Sequence, residues 1–95
     1  MSYYMHDWTF TSALFEWADA RVILIFQNAT SLDVRLIAEG VVDLQIPQKR
    51  EWGRSVSVNE TTGPTDNGDG TQIFTIEMQT GDVISIVARS FQLPP

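Results

Sequence analysis

The sequence predicts a single all-β domain, an antiparallel β-sandwich or flattened barrel of about six to eight short strands with little or no helix. Three observations carry this. Seven short segments rich in β-branched and aromatic residues alternate apolar with polar positions. Turn formers separate them at intervals suited to a small β-domain, and no stretch sustains the 3.6-residue period of an amphipathic helix. At 95 residues, the chain reads as one domain over 1–95, because a division would leave each half too small to bury a core. An apolar fraction of 43%, with three Trp, two Tyr and five Phe, exceeds what a disordered chain carries.

The segments follow in order. Residues 8–15 and 21–27 come first, joined by Glu16-Trp17-Ala18-Asp19-Ala20. Within the second, Val22-Ile23-Leu24-Ile25-Phe26 is apolar on both faces, which predicts a central strand covered on both sides. Residues 32–39 turn Val34, Leu36 and Ala38 to one face, and Gly40 then breaks or bulges the strand. In residues 41–46, alternation predicts Val42, Leu44 and Ile46 inward with Asp43 and Gln45 outward; Pro47 ends the strand by removing a donor. Residues 55–59 form a short polar strand with Val56 and Val58 inward. Residues 62–70, dense in Gly, Asp, Asn and Pro, read as one long exposed loop. A hairpin over residues 73–78 and 83–87 faces Phe74, Ile76 and Met78 against Ile84, Ile86 and Ala88, and Phe91 and Leu93 anchor the tail. No internal repeat is evident.

Composition excludes several functions. Without cysteine there is no disulfide or thiolate chemistry, and a single histidine, His6, leaves zinc too few ligands. A net charge of −6 argues against nucleic-acid binding, which rests on a basic face that releases counterions. No run approaches the roughly 20 apolar residues of a membrane-spanning helix, and the first residues do not read as a secretory signal, so a cytoplasmic location is expected. The loop Asp66-Asn67-Gly68-Asp69-Gly70 superficially matches a calcium loop, but glycines occupy the third and fifth positions, where ligands are needed. His6-Asp7 could orient a general base, yet neighbours on an extended segment point to opposite sides and no nucleophile is marked by a turn motif. The expectation is a protein that is not an enzyme and has no cofactor, metal or catalytic residue.

One cluster stands against the overall charge. Lys49, Arg50 and Arg54, half of the six basic residues, surround Trp52. Trp and Arg are the residues most enriched at interface hot spots, and Arg both stacks on indole and grips carboxylates. The cluster therefore points to a non-enzymatic protein-binding module, with Trp52, Arg50, Arg54 and Lys49 as contacts, while the net charge of −6 would attract a basic protein as partner. The competing structural reading folds Trp52 back to cap the core, with the cations neutralising Glu51 and Asp43. Two other functions remain open. A small-ligand or carbohydrate-binding domain would stack its ligand on Trp8, Trp17 or Trp52, and a homo-oligomeric subunit would pair through an open sheet edge.

The strings HDW (residues 6–8), GVVDLQIPQKREWGRSVSVNE (40–60) and IEMQTGDVISIVA (76–88) together resemble a family of small bacterial proteins of largely uncharacterised function. The resemblance implies a shared all-β fold and an association with immunity proteins of toxin systems. It makes Trp52-Gly53 and Asp43-Leu44-Gln45-Ile46-Pro47 family features, while Arg54 stands where proline is expected.

Overall fold

The computed structural model describes residues 5–48 and 56–94. Six antiparallel strands, β1 (Thr9–Glu16), β2 (Arg21–Gln27), β3 (Asp33–Gln45), β4 (Val56–Asp66), β5 (Gln72–Met78) and β6 (Val83–Gln92), form one sheet. It closes on itself in the order β1-β2-β3-β6-β5-β4, so the fold is the barrel of the two architectures expected. A 3-10 turn, Trp17–Asp19, joins β1 to β2.

The interior is built by alternation. β2 contributes Val22, Leu24 and Phe26, β3 Leu36 and Ala38, and β4 Val58; β5 contributes Phe74, Ile76 and Met78, and β6 Ile84, Ile86 and Ala88, all buried. The predicted inward faces of β5 and β6 are thus correct. In β2, by contrast, Ile23 and Ile25 are only half-buried, so the strand is covered fully on one face rather than two. Met5 and Trp8 fill the core from the N-terminal side, with Trp8 angled against Phe26 at a ring separation of 6.5 Å.

The strand count differs from the seven segments because residues 32–39 and 41–46 merge into the single strand β3. Gly40, at φ +65, bends the chain without ending it, lying so close to the Arg89 side chain that a Cβ would stand 2.9 Å from its Cγ. Residues 33–39 of β3 pair with β2, from Gln27↔Asp33 to Arg21↔Glu39, and residues 37–45 pair with β6, from Ile37↔Gln92 to Gln45↔Ser85. A register shift between Val41 and Asp43 rotates the alternation by one residue. Val41 and Leu44 therefore pack on the core, and Val42, expected inward, is 63% exposed. The predicted loop 62–70 is also shorter than expected. β4 continues to Asp66 through a second register shift between Thr62 and Thr65 that accommodates Gly63-Pro64 within the strand.

The barrel consists of two three-stranded meanders, and the second and third strands of each correspond in pairing. Leu24↔Leu36 and Phe26↔Val34 between β2 and β3 are matched by Phe74↔Ile86 and Ile76↔Ile84 between β5 and β6, every number raised by 50. The hairpin turns match likewise. Asn28 N–H donates to Leu32 O and Ser31 N–H to Asn28 O, as Met78 N–H does to Asp82 O and Gly81 N–H to Met78 O. The seam between β3 and β6 obeys the same exchange, Ala38↔Phe91 becoming Ala88↔Val41. Over residues 21–40 and 71–90 only Ile23/Ile73, Thr30/Thr80 and Ala38/Ala88 are identical, so the repeat lies in burial pattern and pairing rather than in residue identity.

Candidate binding groove

β1 ends at Glu16, and the chain reverses through Trp17–Asp19 into Arg21. Ala20 adopts the left-handed conformation at φ +48, and its N–H donates to Trp17 O at 3.2 Å, which closes the turn. Arg21 Nε donates to Glu16 Oε1 at 2.6 Å, tying the last residue of β1 to the first of β2. The Glu16 carboxylate, by this hydrogen bond and then by its charge, raises the Arg21 guanidinium above its ordinary pKa.

This closed turn presents Trp17 to solvent at 86% exposure. Its ring lies on that of Phe15, 5.6 Å between centroids and inclined by 39°. Val41 and the 63% exposed Val42 extend the apolar surface along the groove. Between the turn and the second half of β3 runs an open groove of about 360 Å³, lined by Phe15, Trp17, Val41, Val42, Asp43 and Leu44. A tryptophan outside the core is not unusual by itself, but two touching aromatic rings and two aliphatic side chains beside a groove form a contiguous apolar surface of the kind that marks interaction sites.

The other sequence-derived candidates fall as follows. Lys49, Arg50, Trp52 and Arg54 lie outside the described residues. Trp8 is buried and is removed as a stacking surface for a ligand, which leaves Trp17 as the exposed tryptophan among the described residues. His6 and Asp7 do meet, at 3.5 Å, contrary to the extended-chain expectation, because Asp7 sits at φ +66 in a turn that brings neighbouring side chains together. His6 Nδ1 is 2.6 Å from Asn59 O, and Gln79 Nε2 donates to Asp7 Oδ1 at 2.6 Å, so both side chains tie the N-terminal turn to β4 and the β5–β6 turn.

In the loop after β4, Asp66 Oδ1 accepts from Gly68 N–H at 2.8 Å, and Asp69 Oδ1 accepts from both the N–H and the hydroxyl of Thr71. The carboxylates thus serve the loop's own turns. The Thr71 hydroxyl first, and its N–H second, hold the Asp69 carboxyl below its ordinary pKa of 3.8. A lowered folded-state value means that the contribution is present above the unfolded pKa and lost as pH falls through the folded one. A carbon-detected NMR titration should place the Asp69 midpoint below that of an unstructured aspartate, with the Thr71 amide shifting at the same pH. A midpoint at or above the ordinary value would contradict the bonding.

Trp17 carries no motif by which sequence alone would single it out. The available signal was a large aromatic in a short turn otherwise made of Glu, Ala and Asp, where the chain has little core to reach. The chain matches no protein-family model, no curated protein and no solved structure.

Proposed function

We propose that the protein is a non-enzymatic binding module whose described contact surface is the Trp17 groove and whose partner is another protein. The observation that carries this reading is the 86% exposure of Trp17 on a turn held by backbone and ionic bonds. A rigid, solvent-facing tryptophan supplies contact area with little conformational entropy to lose, which is why such residues dominate interface hot spots. The groove is open along one side and lies near the lower end of the roughly 300–1,000 Å³ of small-molecule pockets, so it suits side chains of a larger partner better than an enclosed metabolite. An immunity-type inhibitor of a basic toxin is the form of module implied by the resemblance of residues 40–60 and 76–88, and Lys49, Arg50, Trp52 and Arg54 are proposed as a second contact region.

The test is affinity co-purification from source cells with wild type, Trp17→Ala and the double variant Trp52→Ala, Arg54→Ala, followed by binding measurements on the recovered partner. Trp17→Ala should keep the wild-type unfolding temperature and weaken the partner by about thirtyfold or more, the loss of a hot spot worth ~2 kcal/mol. Equal affinity of wild type and Trp17→Ala would remove the groove from the interface. Sensitivity in the double variant alone would place the contact at the basic cluster. Thermal stabilisation by a sugar or metabolite with no protein partner would favour the ligand-binding reading, and a mass at a multiple of 10.7 kDa in light scattering would favour the oligomer.

A further inference from the structure

The groove has a backbone side as well as an apolar one. Residues 41–45 of β3 pair with β6 on one edge. On the other edge β2 begins at Arg21, opposite Glu39, and among the described residues the Val41 N–H bond to Ala20 O at 2.8 Å is the last backbone hydrogen bond on that side. Beyond it, no strand among the described residues pairs with residues 42–45 on that side. Residues 11–16 of β1 also lack a described partner on one edge, but β3 lends four consecutive residues, Val41 to Leu44, to the lining of the groove.

Resting on the protein-binding reading above, we infer that the groove accepts an extended, cationic segment of a partner, which adds as a strand along residues 42–45. Its backbone would bond to the edge that no described strand pairs, while alternate side chains would enter the groove beside Phe15 and Trp17. Charge selects the occupant. The segments next to the groove, 15–21, 39–45 and 85–89, carry Glu16, Asp19, Arg21, Glu39, Asp43 and Arg89. Arg21 is bonded to Glu16, and in these segments Asp19, Glu39 and the groove-lining Asp43 outnumber the remaining cation, Arg89. Lysine or arginine at the alternate, outward positions of the incoming strand would meet this negative rim. The Asp43 charge is the sort of device that protects an edge from like chains. A second copy, itself at −6, would set Asp43 against a like charge, whereas a basic strand gains from it.

The probe is an end-capped eight-residue peptide alternating valine with lysine, followed by amide and indole NMR shifts of the full chain at low salt. Three comparisons accompany it: the same peptide N-methylated at alternate residues, a peptide alternating valine with glutamate, and the Asp43→Lys variant. The expected result is perturbation of residues 42–45 and the Trp17 indole by the lysine peptide. The glutamate peptide should give none, and N-methylation or Asp43→Lys should weaken binding about tenfold or more. No perturbation by the lysine peptide at millimolar concentration overturns the proposal. Equal binding of the N-methylated peptide also overturns strand addition while leaving the protein-binding reading intact, since contact would then run through side chains alone. Shifts of the same amides with protein concentration and no peptide would assign the edge to a second copy, which overturns the cationic occupant. Failure of the broader reading is read separately, as partner affinity indifferent to Trp17→Ala.

Discussion

Phe26→Ala is expected to cost about 3–5 kcal/mol of stability, the range for truncating a buried phenylalanine. Phe26 is fully buried in β2, with the rings of Trp8 and Phe10 at 6.5 and 5.3 Å. Removing the ring would leave a cavity bounded by strands whose pairing holds them apart, so the site can collapse only in part. A domain of 95 residues is stable by roughly 5–14 kcal/mol, at about 0.05–0.15 kcal/mol per residue. The variant should therefore unfold about 12 °C or more below wild type. Denaturant titration with an unchanged slope would attribute the loss to the folded state. Ile25→Ala, one position along and half-buried, should cost much less. A larger loss at Ile25 than at Phe26 would mean that β2 faces the other way, since a one-residue slip exchanges its faces.

Gly63→Ala is expected to produce the second large loss, for a backbone reason. Gly63 sits in β4 at φ +104, and a Cβ there would stand 2.5 Å from Ile73 O and 3.0 Å from Thr65 N. Both neighbours are main chain, so relief requires opening the ladder between β4 and β5. Backbone strain of this kind costs roughly 1–3 kcal/mol before the collision is counted. Gly68, at φ +83 with nothing within 4 Å, separates the two effects. Gly68→Ala should show the conformational cost alone, and equal melting temperatures for the two variants would contradict the packing at Gly63.

Both substitutions bear on what could be read from residues alone. The alternation that places Phe74, Ile76, Met78, Ile84, Ile86 and Ala88 in the core is a period of two, and it survives because β5 and β6 run regularly there. Reading failed where the period slips. Val42 looked inward by its spacing to Leu44 and Ile46, but the register shift after Val41 turned it out; Gly40 followed by two valines was the local sign. Thr61, Thr62 and Thr65 are β-branched and suit β4, yet Gly63-Pro64 between them resembled a loop, because a bulge that spends an extra residue has the same composition as a turn. The groove was less legible still. Its wall joins Phe15 and Trp17 to Val41 and Val42, residues brought together only when β1, β2 and β3 are laid side by side.

The fifty-residue correspondence between the meanders gives the molecule its own reference state. Trp17 follows the last residue of β1, just as Asn67 follows the last residue of β4. Ala20 at φ +48 is answered by Gly70 at φ +89, although Glu16 pairs with Arg21 while Asp66 pairs with Gln72, a connection one residue longer. One is built from Asn, Gly, Asp and Gly and fastened by carboxylate-to-backbone bonds; the other carries an indole in water. The same scaffold thus joins successive strands at corresponding places with and without an aromatic residue. Chain reversal does not demand tryptophan at position 17, and the apolar cost of displaying it there falls outside the requirements of folding.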